Sequence, residues 1–232
     1  MTEKLTTLAR RLRPFFLNWL DQSLAYYGTI SEGPDIDIVA AFTVGRGGDR
    51  IITFDYNAGG TLNPVAEYAP TSAGFDLALA ASAPVVWLYG YTISGNHTIT
   101  DGYHVVGNNR DTSILSGEIT MGDGSYLWNL SVIRTASDAN DLYGVKGGTT
   151  HKSYLYNCRI SVTQSGAGDA YAVGAVNGAA TAGDGSIDVI ECELAATASG
   201  GGVGYCGRST FGLLHVWASK ADTFTTGRFT ES

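Results

Sequence analysis

The sequence predicts an all-β fold: a parallel β-helix with a short capping helix, preceded by an N-terminal amphipathic helix and a small β attachment region. The first observation is a six-residue pattern, LWNLSV at residues 127–132, that returns as LYNCRI at 155–160 and as VIECEL at 189–194. A less similar copy, VWASKA, occupies residues 216–221. One small apolar position marks the repeats, and its occupants are Val105, Leu127, Leu155, Val189 and Val216.

A second pattern recurs at the same uneven intervals. Tyr143, Tyr171 and Tyr205 each begin a short cluster of small residues, and their spacings of 28 and 34 residues match those of the first pattern. Two features that share irregular intervals indicate structural repeats that stack, with insertions between them. Clusters of Val, Ile, Leu, Tyr and Trp bounded by Gly, Asn, Asp and Ser are typical of short strands. We therefore expect Leu127, Leu155 and Val189 to stack in consecutive repeats.

The composition fits a chain with a buried core and many tight corners. Apolar residues make up 44% of the 232 residues, glycine occurs 31 times, and only 16% of the residues are charged. Part of the surface is therefore expected to be uncharged or covered by a partner. The formal net charge is −8, although residues 1–13 carry a net +3. The acidic remainder argues against nucleic acid as a partner, since phosphate binding needs basic side chains.

The cysteines and the apolar segments exclude further classes. Cys158 and Cys192 occupy the same small slot in adjacent repeats, which predicts buried thiols rather than a disulfide. The spacing of the potential ligands predicts no metal site, and we expect no cofactor. No signal peptide is visible, and no apolar run reaches the ~20 residues of a membrane span.

Residues 1–22 form the one long helical pattern, with apolar side chains at alternating spacings of three and four. They are Leu5, Leu8, Leu12, Phe15 and Trp19. This is the spacing of a coiled-coil seam, although Pro14 should kink or break the helix. Three interpretations stay open: an amphipathic helix that lies on its own domain, a segment for self-association or docking into a neighbouring protein, and a membrane-surface helix.

Residues 23–70 read as a linker and a small β attachment region. Apolar residues alternate over 36–44 and again over 52–56, with a glycine-rich segment between them, which predicts a hairpin. Residues 57–70 read as a loop.

A short helix is predicted over residues 74–81, with Thr71 and Ser72 as N-cap candidates and an alanine-rich body. It is followed at once by the strand sequence PVVWLYGYTI at 84–93, by Ile99-Thr100, and by YHVVG at 103–107. This succession resembles the first coils of the pectate-lyase-like right-handed parallel β-helix, in particular the form found in bacteriophage tailspikes and tail fibres. The chain departs from the usual turn after the first strand, since residues 88–91 contain no proline.

The resemblance implies a right-handed β-helix within residues 71–232, with the helix covering its first coil. It also implies a structural component of a virion tail, or an extracellular protein. The apolar spacing of residues 5–19 and the low charge content favour a homotrimer. Such a protein would attach to other virion tail proteins through residues 1–60 and present a surface to a host glycan.

The alternative enzymatic function, a polysaccharide lyase or hydrolase, would need carboxylates for acid–base chemistry. The candidates on or beside a repeat strand are Asp188, Glu191 and Glu193, and the last two share strand parity, so we expect them to point the same way, outward. The other aspartates lie in Gly/Ser-rich corners, where Asp commonly closes a turn. An extracellular adhesive filament subunit is the third alternative.

Aromatic residues recur at one position of the repeats, directly after the small apolar position. Trp128, Tyr156 and Trp217 hold this position in three repeats, and Ile190 holds it in a fourth. If these side chains face outward, they form a stripe suited to sugar stacking or to a neighbouring subunit. If they face inward, they belong to the core. We expect Asp141 and Asp169 to flank the stripe and to bind sugar hydroxyls.

Overall fold

The computed structural model describes residues 51–56, 62–147, 152–175, 186–209, 213–217, 219–221 and 227–229. All of them belong to one unit, which spans residues 38–232. The predicted assembly positions Leu5, Leu8, Leu12, Phe15 and Trp19 lie outside the described residues, as does the first half of the predicted hairpin.

Three sheets contain the described strands. Sheet A consists of β1 (Ile51–Tyr56), β2 (Leu62–Tyr68), β3 (Val85–Leu88), β6 (His104–Gly107), β9 (Tyr126–Trp128), β12 (Lys152–Tyr156), β15 (Ser186–Ile190) and β18 (Leu213–Trp217). Sheet B consists of β4 (Thr92–Ser94), β7 (Ile114–Ser116), β10 (Ser131–Ala136), β13 (Arg159–Gln164), β16 (Glu193–Ala198) and β19 (Lys220–Ala221). Sheet C consists of β5 (His97–Thr98), β8 (Ile119–Thr120), β11 (Leu142–Lys146), β14 (Ala170–Ala175), β17 (Gly204–Ser209) and β20 (Gly227–Phe229).

From β3 onward the chain passes through sheets A, B and C in that order and then returns to sheet A. We call one such passage a coil. Each strand pairs in parallel with its equivalent in the next coil, as β9 does with β12 and β12 with β15. The fold is therefore mostly β with parallel sheets, as predicted.

The predicted stacking of equivalent residues is confirmed. Leu155 lies between Leu127 and Val189 in sheet A, with Val105 and Val216 one coil further out on either side. The tyrosine pattern stacks in the same way in sheet C, in the order Tyr143, Tyr171 and Tyr205.

The core consists of the apolar side chains that point inward from all three sheets. Leu155, Ile160 and Val173 come from sheets A, B and C of a single coil, and each is fully buried. Burying a side chain of this size contributes about 1.5–3 kcal/mol. One coil offers only a few such side chains, so its stability depends on the coils stacked above and below it.

The single helix among the described residues, α1 (Ser72–Ala80), packs on the first coil. Thr71 is its N-cap, because the Thr71 side chain accepts a hydrogen bond from the backbone N–H of Gly74. Phe75, Ala78 and Leu79 enter the core. The predicted helix is thus confirmed, with bounds shifted by one or two residues. None of the helical residues that the structure describes forms a segment long and apolar enough to cross a membrane.

One prediction for the region before α1 is wrong. Residues 62–68, predicted as part of a loop, form β2, which pairs antiparallel with β1. β2 is the outermost strand of sheet A, and most of its described side chains are exposed, so it lacks the apolar alternation of an inner strand. β1 lies between β2 and β3. Residues 36–44, the first half of the predicted hairpin, lie outside the described residues.

The corners between sheets A and B share one backbone conformation. Asn129, Asn157 and Glu191 occupy equivalent corners with φ values of 56°, 48° and 53°. The left-handed region is unfavourable for most side chains, and asparagine tolerates it better than glutamate does. The side-chain amide of Asn157 donates to Oδ1 of Asn129 at 2.9 Å, and that of Asn129 donates to the Gly107 carbonyl at 3.1 Å. Asn129 thus joins consecutive coils.

Candidate functional site

Sheet A carries two columns of aromatic and polar side chains on the side that faces away from the core. Adjacent strand residues point to opposite sides, and Leu127 points inward, so Tyr126 and Trp128 point outward. The first column runs through His104, Tyr126, Tyr154, Asp188 and His215. The second runs through Val106, Trp128, Tyr156, Ile190 and Trp217. We call these two columns together the aromatic face.

The rings of the first column stack on one another along the sheet. The ring centroids of His104 and Tyr126 are 4.3 Å apart, and those of Tyr126 and Tyr154 are 4.4 Å apart with an interplanar angle of 9°. Strand spacing in a parallel sheet, about 4.8 Å, sets this separation. Because each ring covers the flat side of its neighbour, these rings offer mainly their edges and polar atoms to a ligand.

The second column is more open toward one end. Trp128 and Tyr156 are half-buried, and Ile190 is only 8% exposed, whereas 58% of the Trp217 surface is accessible. Trp128 makes no ring stack with any residue that the structure describes. The orientation that the sequence left open is therefore outward, and Trp217 has the largest exposed ring of the aromatic face.

Burial keeps three rings of this face, those of His104, Tyr126 and Tyr156, uncharged. Desolvation lowers the pKa of His104 to about 4. Burial, with smaller contributions from Tyr154 and Asp188, raises the pKa of Tyr156 to about 12. The pKa of Tyr126 is likewise raised, chiefly by burial and next by Tyr154. At neutral pH these three side chains present neutral hydrogen-bonding groups.

A charged cluster interrupts the first column. Nδ1 of His215 lies 2.7 Å from Oδ1 of Asp188, and Nζ of Lys152 lies 4.0 Å from the other carboxylate oxygen of Asp188. The Asp188 side chain is mostly buried, and the His215 and Lys152 side chains are partly exposed. A carboxylate in this position orients the imidazole.

Sequence reasoning did not single out His215 or Lys152. The position of His215 in the repeat could have indicated its place on this face. It lies directly before the small apolar position Val216, as Tyr154 lies before Leu155.

The structure does not place Asp141 and Asp169 on the aromatic face. Both directly precede strands of sheet C, where their carboxylates hold consecutive coils together. Asp141 accepts the backbone N–H of Asp169 at 3.2 Å, and Asp169 accepts the backbone N–H of Val203 at 2.7 Å. Asp141 also pairs with Arg208 at 3.1 Å, and the Tyr171 hydroxyl donates to Asp169 at 3.0 Å. These carboxylates have structural roles.

The carboxylates considered for catalysis do not share one strand. Glu191 lies in the corner between β15 and β16, so the expectation that it has the same strand parity as Glu193 is wrong. Glu193 begins β16 and pairs with Arg159 at 3.0 Å and with Lys220 at 4.0 Å. Asp188 belongs to the cluster with His215. Within the described ranges, no group of three or more His, Cys, Asp or Glu side chains could hold a metal ion.

Comparisons with protein-family models, with curated proteins and with solved structures found no match to this chain.

Proposed function

We propose that this chain is a right-handed parallel β-helix subunit of a virion tail fibre or tailspike, and that its aromatic face binds a host-surface glycan. The ordered passage through three parallel sheets and the helix on the first coil support this architecture. The observation that carries the binding proposal is the exposed ring of Trp217, at the end of a column that also contains Trp128 and Tyr156.

The chemistry of the aromatic face suits an uncharged or weakly charged sugar. Aromatic ring faces stack on the C–H groups of a sugar ring, and sugar hydroxyls need hydrogen-bond donors and acceptors beside that platform. Tyr154 and His215 in the adjacent column supply such groups. The exposed ring and the polar column together form a binding surface that an aromatic core residue could not provide.

In the assembled particle we propose a homotrimer that attaches to other virion tail proteins through residues 1–60. The low proportion of charged residues, 16%, and the spacing of Leu5, Leu8, Leu12, Phe15 and Trp19 support self-association. The mass in solution, measured by light scattering, should be about three times the 24.4 kDa of one chain. A stable monomer would remove this part of the proposal.

A glycan array tests the binding function. Wild type should bind a defined set of glycans, and Trp217→Ala should lower affinity for them at least about tenfold, as expected for removal of an anchoring ring. Trp128→Ala should have a smaller effect, since that ring is half-buried. Ile133→Ala is the matched control, because Ile133 is 37% exposed but belongs to sheet B. If Trp217→Ala and Trp128→Ala bind as well as wild type and lose the oligomeric state, the aromatic face belongs to assembly.

The pair formed by Asp188 and His215 favours a second candidate, a polysaccharide lyase or hydrolase. A carboxylate that holds Nδ1 leaves Nε2 of the imidazole for proton transfer, which is the arrangement of a general base. Incubation with each glycan that the array identifies, followed by measurement of new chain ends, tests this candidate. Cleavage should disappear in His215→Ala and Asp188→Asn. Binding without cleavage by wild type would leave the binding function alone.

A further inference from the structure

The corner slot that follows the left-handed residue has a recurring hydrogen-bond pattern. Cys158, Cys192 and Ser219 occupy this slot in three consecutive coils. Each side chain donates to the carbonyl two residues earlier, at 3.2, 3.3 and 2.9 Å in that order. Each also donates to the backbone carbonyl of an inward residue of the preceding coil; these residues are Leu127, Leu155 and Val189 in that order.

Two of these side chains also accept a hydrogen bond from the backbone of the same slot in the preceding coil. Sγ of Cys192 accepts the backbone N–H of Cys158 at 3.4 Å, and Oγ of Ser219 accepts the backbone N–H of Cys192 at 3.1 Å. A serine hydroxyl and a cysteine thiol therefore make equivalent hydrogen bonds in this slot. The hydrogen bond from the Cys158 backbone N–H places the sulfur of Cys192 against the coil that contains Cys158.

We propose that Cys158 and Cys192 are an oxidation site, at which peroxide converts the two thiols into a disulfide that links consecutive coils through the core. Both cysteines are reduced in this structure. The residues on either side of the slot pair in register, Tyr156 with Ile190 and Arg159 with Glu193. Strands in such register are about 4.8 Å apart, which lies within the Cα separation of about 4.4–6.8 Å that a disulfide allows.

The reaction needs one peroxide and balances without another reactant. One thiol loses its proton, and its sulfur attacks a peroxide oxygen; the O–O bond breaks and hydroxide leaves, which takes up that proton as water. The sulfenic acid that results condenses with the second thiol: the S–S bond forms, the S–O bond breaks, and a second water leaves. Two thiols and hydrogen peroxide thus give one disulfide and two waters.

Burial sets the rate and the choice of oxidant. Cys158 is fully buried and Cys192 is 2% exposed, so a large disulfide reagent cannot reach them in the folded chain. Burial also raises the pKa of the Cys158 thiol, which keeps the reactive thiolate scarce at neutral pH. We expect slow oxidation by a small uncharged oxidant, of the kind that a protein meets after it leaves a reducing compartment. This inference is independent of the glycan proposal.

The test is to count free thiols in the full chain before and after treatment with hydrogen peroxide. Samples are quenched, unfolded, alkylated and weighed, and the linked peptides are then mapped. The reduced wild type has three alkylatable thiols; treatment should leave one, so the alkylated chain should carry one alkyl group instead of three. Before alkylation the treated chain should be about 2 Da lighter than the reduced chain, for the two hydrogens removed. The mapped link should join Cys158 to Cys192.

Two variants serve as controls. Cys206→Ser removes the third buried thiol, which lies on β17 in sheet C, and should still form the link. Cys158→Ser should form none, and it should fold, since Ser219 shows that a hydroxyl suits the slot. Oxidised wild type should also melt at a higher temperature than reduced wild type, with no such difference in Cys158→Ser. Three free thiols after prolonged treatment, a link that includes Cys206, a link between two chains, or sulfinic acids without a link would each overturn the proposal.

Discussion

Sheets A and B belong to the same coils and have the same kind of inward side chain, yet their outer sides differ completely. Leu127 and Leu155 stack in sheet A as Val132 and Ile160 do in sheet B, and all four are fully buried. On the outside, sheet A carries stacked rings. Sheet B carries mostly small side chains in register and no rings at these positions, with Ser116, Ile133, Ser161 and Ala195 in one column and Thr135, Thr163 and Thr197 in another.

This difference separates the residues that maintain the fold from those that are available for function. The coils of sheet B stack with hydroxyl side chains such as Ser161 and Thr163 on their outer side. Stacking of coils therefore does not require rings on the outside. The rings of sheet A must therefore serve ring stacking, ligand binding or subunit contact. Substitutions of inward and of outward residues in sheets A and B should distinguish residues that maintain the fold from residues that are available for function.

The largest expected effect is at an inward position, where the two sheets should respond alike. Leu155→Ala should lower the free energy of unfolding by about 2–5 kcal/mol, because it leaves a cavity between Leu127 and Val189. Ile160→Ala in sheet B of the same coil should cost a similar amount. Urea unfolding measures both. A loss below about 1 kcal/mol at either site would contradict a core shared by the sheets.

The next effect concerns pH and should be confined to sheet A. The folded pKa of His104, about 4, is below its ordinary value of 6.5. Between these values the unfolded chain binds more protons than the folded chain. The contribution of His104 is therefore fully present above pH 6.5 and is lost as the pH falls to about 4. The loss should reach about 3 kcal/mol at most.

The measurement is the difference in unfolding free energy between wild type and His104→Phe at a series of pH values. Phenylalanine retains a flat ring beside Tyr126 and cannot titrate. The pH dependence that comes from the carboxylates common to both chains therefore cancels in the difference. Wild type should lose stability relative to the variant as the pH falls from 6.5 to 4. Parallel curves would show that His104 does not titrate as its burial implies.

A smaller effect is expected from the stacked rings. Tyr154→Ala removes contacts with Tyr126 at 4.4 Å and with Tyr156 at 6.2 Å, and should cost about 1–2 kcal/mol. Ser161→Ala, on the outer side of sheet B in the same coil, should change stability by less than about 0.5 kcal/mol. Thermal unfolding compares the two. Equal and small changes would mean that the stack contributes nothing to the fold.

Much of the fold could be predicted from the sequence, and each miss has its own physical cause. The inward ladder was predictable because Val105, Leu127, Leu155 and Val189 must all be apolar, whatever surrounds them. β2 was missed because an outer strand with exposed side chains carries no apolar alternation. Asp141 and Asp169 were assigned to a ligand because a carboxylate that binds backbone N–H groups looks the same in sequence as one that binds sugar hydroxyls.

The smallest predicted effect lies in the corners where sheets A and B meet, and it tests whether their shared asparagine contact can be extended. Glu191 has the same left-handed backbone as Asn157, and an amide at residue 191 could donate to Oδ1 of Asn157, as Asn157 donates to Asn129. Glu191→Asn should therefore raise the free energy of unfolding by about 0.5–1 kcal/mol, since asparagine tolerates this backbone region and adds one hydrogen bond.

Glu191→Gln is the matched control: it removes the charge but has the longer side chain and no preference for the left-handed region. Stabilisation by Asn alone would identify backbone conformation and the added amide contact as the cause. Equal stabilisation by both variants would point instead to the charge of Glu191, and destabilisation by Asn would show that the contacts of the native glutamate outweigh the conformational gain.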